Sequence, residues 1–160
     1  MRPFAGQRIL LGVTGGIASY KAGWLARLLA QAGAEVDVVL SAGAQEFVRP
    51  LTFEGLTGRE VYTGLFDPGH ALDHIRLARE AQAVVIAPAT ADFMARAASG
   101  QAGDLLSATL LATTAPVMFV PAMNDRMWAH RQTQSNAARL RDLGHAVLEP
   151  DDGMLAAGEG

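Results

Sequence analysis

Short apolar runs alternate along the chain with segments in which apolar residues recur at the helical period. Because a short apolar run bounded by turn residues is typical of a buried parallel strand, the runs predict strands. The predicted strands are Arg8–Val13, Glu35–Leu40, Ala83–Ala87, Val117–Val120 and Ala146–Leu148. The predicted helices are Ser19–Gln31, a short one around Ala44–Val48, Asp73–Ala81, Thr90–Ala98, Asp104–Thr113 and Thr133–Leu143.

Strands that alternate with helices predict the fold class. We expect an α/β fold, a doubly wound Rossmann- or flavodoxin-like parallel sheet with helices on both faces. Residues 50–72 show no period and contain scattered glycine and proline, so we expect a long connection there with one short element. The first helix is expected to stop at Gly33. Its predicted buried face holds Trp24, Leu25, Leu28 and Leu29.

Composition and charge narrow the class of protein. The 160 residues suit one domain with a sizeable core. Half of the residues are hydrophobic and only 18% are charged. This fraction of charged residues is low for a monomer, so it favours a homo-oligomer that buries part of its surface. The net charge of −3 provides no basic surface for a nucleic-acid partner.

The absence of cysteine excludes disulfides, thiolate metal sites and a cysteine nucleophile within these 160 residues. The apolar run near the N-terminus is about six residues long, which is too short for a signal sequence or a membrane span. We therefore expect a cytoplasmic protein that does not enter a membrane.

The turn from Thr14 to Ser19, after the first strand, is a candidate phosphate site. Its two glycines let the backbone approach an anion closely, and the helix that follows offers free amide N–H groups. The turn matches neither the dinucleotide fingerprint GxGxxG nor the Walker sequence GxxxxGKS/T, and a tight turn without a ligand is the alternative. Ser41, at the end of the second strand, is either a ligand contact or a helix N-cap.

Two later strands also end in polar turns. Residues 88–92 follow the strand AVVIA directly, and residues 121–128 follow VMFV. Because the carboxyl ends of parallel strands meet at one edge of a sheet, these strand exits and the first predict a single shared cleft. Taken alone, residues 88–92 are equally well explained as a proline turn in which Thr90 caps the next helix.

His74 is the histidine with the strongest case for a chemical role. It begins a predicted helix, where the positive end of the dipole disfavours a protonated imidazole, and a general base must be neutral. The alternative is a surface or capping histidine. His70, His130 and His145 lack metal-ligand spacing, so we assign them no role and expect no metal site.

Four motifs together resemble a known family. They are GGIASYK at 15–21, LDHIRLA at 72–78, PATAD at 88–92 and PAMNDRMW at 121–128. In this order and spacing they are similar to the flavin-dependent cysteine decarboxylases, specifically the phosphopantothenoylcysteine decarboxylases, over essentially the whole chain. The resemblance implies FMN as cofactor and decarboxylation of 4′-phosphopantothenoylcysteine to 4′-phosphopantetheine in coenzyme A biosynthesis.

The resemblance also implies roles for individual residues. The FMN phosphate would be held near Gly15, Gly16, Ile17 and Ser41. The flavin ring would lie against Thr90, Ala91, Asp92 and Ala122. His74 would be the active-site base, Asn124 would bind the substrate carboxylate and Met127 would line the pocket. The family builds this site between subunits of a trimer, trimers often assemble into dodecamers, and a ligase domain can lie downstream.

Three features depart from the family pattern. Ala157 stands where the family has a cysteine that acts as the acid in the second, reductive half-reaction, which predicts that this half-reaction is slowed or arrested. Gly103 stands at or next to a position where an asparagine is usual, and the sequence stops at Gly160 inside the expected substrate-covering loop. Two alternatives stay open, a flavin prenyltransferase and a non-catalytic FMN-binding protein of the same fold.

Overall fold

A parallel sheet of six strands lies at the centre of the computed structural model, which describes residues 2–151. Its strands are β1 (Arg8–Val13), β2 (Glu35–Leu40), β3 (Val61–Tyr62), β4 (Ala83–Ala89), β5 (Val117–Pro121) and β6 (Ala146–Val147). They lie in the order β3-β2-β1-β4-β5-β6, and all neighbours are parallel. This order confirms the predicted doubly wound sheet, because the chain proceeds outward from β1 in both directions.

Helices cover both faces of the sheet. They are α1 (Ser19–Gln31), α2 (Pro50–Thr57), α3 (Asp73–Glu80), α4 (Ala91–Ala98), α5 (Leu105–Ala112), α6 (Asp125–Ala129) and α7 (Arg131–Asp142), with a 3₁₀ turn at Ala44–Glu46. One apolar cluster joins α1 and α2 to the sheet through residues such as Leu11 and Phe53. The other joins α3, α4, α5 and α7 to it through residues such as Leu10 and Leu106. Neighbouring residues of β1 thus point into opposite clusters, as the pleat requires.

Two short parts of the secondary structure differ from the prediction. Residues 50–72 hold both α2 and β3, so the expected connection with one short element was wrong. Pro50 begins α2 and Gly58 ends it with φ +69°, so residues that indicated a loop are in fact the start and stop of a helix. The sequence also gave no sign of α6, because five residues are too few to show a helical period.

The predicted buried face of α1 was wrong in part. Trp24 is 63% exposed and Leu28 is 58% exposed, whereas Ala22 and Ala26 are buried against the sheet. The small alanine side chains let the helix approach β1 and β2 closely, which turns the larger residues outward. Gly33 ends the helix as expected, with a φ of +99° that favours glycine. In the described part of the chain, no helix combines the length and apolarity that a membrane crossing requires.

Candidate functional site

A cleft of about 670 Å³ opens at the carboxyl edge of the sheet, where β1, β2, β4 and β5 end. β1 and β4 are neighbours, and the strand order reverses between them, which is where doubly wound folds bind ligands. Except for His74, the residues predicted for the site all line this cleft: Gly15, Gly16, Ile17, Ser41, Thr90, Ala91, Asp92, Ala122, Asn124 and Met127.

The buried side chain of Thr14 joins two sides of the cleft. Its hydroxyl donates a hydrogen bond to the carbonyl oxygen of Pro88 at 2.5 Å and accepts one from the amide of Thr90 at 3.0 Å. The exits of β1 and β4 are therefore fixed to each other by one side chain. Sequence reasoning gave Thr14 no separate role, because its partners lie more than seventy residues away.

The turn after β1 presents amide groups to the cleft. Ser19 stabilises the turn, with its hydroxyl oxygen 2.5 Å from the carbonyl oxygen of Gly16. Among residues 2–151, the amides of Gly15, Ile17 and Ala18 have no hydrogen-bond acceptor, and α1 begins without a side-chain cap. Free N–H groups at the positive end of a helix favour an anion at this position.

Two backbone segments pass very close together behind this turn. A methyl group on Gly15 would lie only 2.7 Å from the carbonyl carbon of Gly43, so the contact requires glycine. Ser41 lines the same part of the cleft, and its hydroxyl accepts a hydrogen bond from the amide of Ala44 at 3.1 Å. Ser41 thus stabilises the turn after β2, but it is not a helix N-cap, because the N-cap position of the 3₁₀ turn is occupied by Gly43.

The exits of β4 and β5 are both built around helix caps. The hydroxyl of Thr90 accepts a hydrogen bond from the amide of Phe93 at 3.1 Å and caps α4. The Oδ1 atom of Asn124 accepts one from the amide of Met127 at 2.8 Å and caps α6. Within residues 2–151, the Nδ2 group of Asn124 donates to no other residue, so it is free to donate to a ligand.

Two charged residues of the cleft were missed at the sequence level. Arg96 contacts the carboxylate of Asp104 at 2.8 Å and that of Asp92 at 3.2 Å. Burial opposes the charge of Asp104, but hydrogen bonds from Ser107 and Arg96 outweigh it and hold the pKa of Asp104 below its ordinary value. The spacing of Asp92 and Arg96 on α4, and of Asp104 and Ser107 in a capping box, was the available sequence signal.

His74 lies in a different cavity, of about 730 Å³, between α3, α5 and the segment that precedes α3. The other lining residues are apolar: Leu65, Phe66, Ala71, Ile75, Ala102, Ala108, Leu111 and Ala112. The Nδ1 atom of His74 is buried and has no hydrogen-bond partner among the described residues. A buried polar atom without a partner is uncommon in a purely structural residue, which argues against a surface or capping histidine.

Several large apolar side chains around this second cavity are exposed. Phe66 is 88% exposed, Leu72 is 68% exposed and Leu111 is 64% exposed. An exposed apolar patch of this kind is typical of a surface that another molecule covers. The chain therefore has two distinct surfaces with functional character, one at the carboxyl edge of the sheet and one around His74.

Comparison with known proteins identifies the class. Residues 2–160 match the Flavoprotein family, so the chain belongs to the Flavoprotein family. It is 50% identical over 155 residues to the coenzyme A biosynthesis bifunctional protein CoaBC of Mycolicibacterium smegmatis. That match covers 97% of this chain and 37% of the relative, so the chain spans well under half of the length of that protein.

Solved structures extend the relationship. The FMN-dependent cysteine decarboxylase SpaF superposes with a TM-score of 0.88 at 34% identity, over 94% of this chain and 87% of SpaF. The C175S mutant of a PPC decarboxylase, in complex with pantothenoylaminoethenethiol, gives a TM-score of 0.83 at 29% identity, over 96% and 87% of the two chains. The resemblance that the four motifs indicated is therefore confirmed.

The three departures from the family pattern have different outcomes. Ala157 and Gly160 lie outside the described residues. Gly103 lies just before α5, and a methyl group added there would meet no atom within 4 Å. Packing within the chain therefore does not explain why glycine stands at this position.

Proposed function

We propose that this chain binds FMN and decarboxylates 4′-phosphopantothenoylcysteine to 4′-phosphopantetheine in coenzyme A biosynthesis, as the decarboxylase part of a bifunctional protein with a downstream ligase domain. The proposal depends above all on the cleft at the carboxyl edge of the sheet. This cleft combines free amides, a glycine contact and a free Asn124 amide in a member of the Flavoprotein family.

The cleft has groups suited to the phosphate of FMN and a wall suited to its flavin ring. A phosphate fits the free amides of Gly15, Ile17 and Ala18, with Gly16 and Ser41 beside them. The contact between Gly15 and Gly43 holds the turn after β1 directly against the turn after β2, so both turns border the proposed phosphate position. The flavin ring would lie against the cleft wall formed by Thr90, Ala91, Asp92 and Ala122. Bound there, FMN would supply a two-electron acceptor for the substrate thiol.

Asn124 is suited to hold the substrate carboxylate. Its Oδ1 atom is occupied in capping α6, which orients the side chain and leaves Nδ2 to donate. A neutral amide binds the carboxylate without the strong ground-state stabilisation that a cation would give, so loss of carbon dioxide is not opposed. Met127, 47% exposed, would cover the substrate from the next turn of α6.

His74 would act as the active-site base, and this role requires more than one copy of the chain. The residue does not line its own chain's cleft, and the apolar surface around it is exposed. If a second copy covers that surface with its cleft, His74 of one subunit reaches substrate held by another. Because Nδ1 is buried, Nε2 is the atom that would accept the proton. A trimer meets this need, and the exposed Trp24 and Leu28 on α1 suit a further contact that joins trimers into a dodecamer.

The anaerobic absorbance of the purified protein, before and after addition of 4′-phosphopantothenoylcysteine, tests the reaction. A yellow protein that bleaches, recovers and releases carbon dioxide supports the whole reaction, with another acid in place of the cysteine that Ala157 replaces. Bleaching that persists supports the oxidative half alone and an arrested second half. A protein that cannot be reconstituted with FMN contradicts the proposal.

Coexpression of two inactive variants tests the shared site. His74→Asn subunits keep the cleft, and Asn124→Asp subunits keep His74 and a good helix cap but repel the substrate carboxylate. If the site forms between chains, mixed oligomers regain carbon dioxide release that neither variant shows alone. No recovery in oligomers shown by mass spectrometry to be mixed would mean that each chain carries a complete site.

A further inference from the structure

A polar cluster around His70 includes Asp73, the residue before His74, and the proposed reaction does not use it. The Nδ1 atom of His70 lies 2.6 Å from Oδ2 of Asp73. On the other side of the ring, Nε2 lies 3.8 Å from the carboxylate of Glu60. The ring of Tyr62 packs edge-on against the imidazole, with 6.4 Å between ring centres. His70 is therefore held between two acids and an aromatic ring.

Asp73 is the fixed partner in this cluster. Its side chain is only 10% exposed, and it precedes His74 in the first turn of α3. The guanidinium of Arg76, one turn further along α3, lies 3.4 Å from its other oxygen. The Arg76 guanidinium also stacks over the ring of Tyr62 at 5.2 Å. Asp73 thus joins the beginning of α3 to the segment that contains His70, while Arg76 contacts β3 through Tyr62.

That segment, residues 63–72, forms one wall of the His74 cavity through Leu65, Phe66 and Ala71. Within residues 2–151, the contact between His70 and Asp73 is the only side-chain hydrogen bond between this segment and α3. Backbone amides of α3 also donate to the carbonyl oxygens of His70 and Leu72, so the histidine–aspartate pair is the side-chain contact that adds to these bonds and holds the wall beside His74.

We propose that His70 is a positioning residue for His74. Its hydrogen bond to Asp73 holds residues 63–72 against the first turn of α3 and so fixes the cavity in which His74 meets the substrate. This inference rests on the proposed function, because it takes His74 to be the active-site base.

The charge of the cluster makes this contact depend on pH. The hydrogen bond to Asp73 raises the pKa of His70 above its ordinary value, and the carboxylates of Glu60 and Asp67 act in the same direction against the effect of burial. A raised pKa means that the charged contact is fully present below the ordinary histidine range and is lost as pH rises through the folded value. The contact then weakens from an ion pair to a hydrogen bond between a neutral imidazole and a carboxylate.

The test uses the oligomeric holoenzyme with 13C-labelled histidine. The chain has four histidines, so each NMR signal is assigned by single substitution. We expect His70 to titrate above the ordinary histidine range, the signal of His74 to move with it, and kcat/KM for carbon dioxide release to fall through the same pH. His70→Ala should lower kcat/KM by about tenfold or more at neutral pH, since a charged hydrogen bond is lost.

Two variants separate positioning from simple destabilisation. His70→Asn keeps a neutral donor for Asp73 and cannot titrate, so we expect its kcat/KM at neutral pH to match the level that the wild type reaches above its alkaline fall, with no fall of its own. His130→Asn is the matched control, because His130 is exposed and Asn also caps α7 well. That control should keep the wild-type pH profile.

The inference is overturned if His70→Asn keeps the alkaline fall, or if the His74 signal is insensitive to the titration of His70. The failure of the proposed function is distinguishable from this outcome. If the protein neither bleaches nor releases carbon dioxide, the coupled NMR titration of the two histidines still decides whether His70 positions His74.

Discussion

The flavin cleft and the His74 cavity are of similar volume, yet they are built in opposite ways. The cleft is formed by backbone turns at four strand exits, and its polar groups are fixed by hydrogen bonds within one chain. The His74 cavity is formed by apolar side chains, with one buried imidazole nitrogen that has no partner among the described residues. The difference is consistent with the proposal that one chain completes its cofactor site and that a second copy completes the reaction site.

The largest expected effect comes from the His74 side. His74→Asn removes the proposed base, and we expect carbon dioxide release to fall by about 10² to 10⁴. FMN content should stay at the wild-type level, because His74 does not line the cleft. Single-turnover carbon dioxide release measures the activity, and flavin absorbance of the same sample measures the FMN content. Parallel loss of FMN and activity would mean that the two regions are not separable.

A substitution in the cleft, Gly15→Ala, should affect FMN binding first. In Gly15→Ala the new methyl group meets the backbone at Gly43, and overpacking of this kind costs about 1–3 kcal/mol. We expect the Kd for FMN, measured by fluorescence quenching, to rise by about ten- to a hundredfold. Gly55→Ala in α2 is the control, since a methyl group there meets no atom within 4 Å. Unchanged FMN affinity in Gly15→Ala would argue that the glycine contact does not shape the phosphate site.

A smaller effect is expected where the two regions adjoin, at Asp104. Asp104→Asn keeps the cap on α5 but loses the charge paired with Arg96. Since the side chain is 35% exposed and water screens the pair, the loss should be about 0.5 kcal/mol at pH 7. Because the pKa of Asp104 is lowered on folding, this contribution is present above the unfolded value and disappears as pH falls through the folded one.

Urea unfolding at pH 7 and near pH 3 measures this difference. Wild type and Asp104→Asn should differ at pH 7 and converge in acid, while Asp142→Asn, at an exposed position of α7, should match the wild type at both. An equal difference at both pH values would show that the amide disturbs packing rather than removing a charge.

The smallest expected effect is at Gly103. Gly103→Asn introduces the asparagine that the family resemblance implies at or next to this position. The open space around the glycine should admit it with a change in unfolding free energy within about 0.5 kcal/mol. If asparagine contacts flavin or substrate in this family, FMN affinity or KM should improve slightly while stability stays constant. A large loss of stability would contradict the open geometry described here.

The sequence was most informative where a local pattern determines the structure. Apolar runs gave the main strands almost residue by residue, and the glycines after β1 gave the turn that presents free amides. Patterns of this kind depend on neighbours in the chain. The cleft residues were found together because parallel strands must end at the same edge of a sheet.

Features that depend on residues far apart in the chain could not be predicted from the sequence. Trp24 looks like a core residue by helical spacing, yet the alanines on the other side of α1 make the closer approach to the sheet. The link between Thr14 and Pro88 spans more than seventy residues and has no local signal. The separation of His74 from its own chain's cleft is likewise a property of the assembled fold rather than of any motif.

The two outer strands of the sheet have a consequence for how copies of this protein meet. β3 and β6 are each two residues long, so neither border of the sheet presents a row of free backbone groups to another chain. Fibre-like growth by strand addition has almost no template here. The proposed oligomer would therefore form through side-chain surfaces, and most soluble homo-oligomers have closed symmetry.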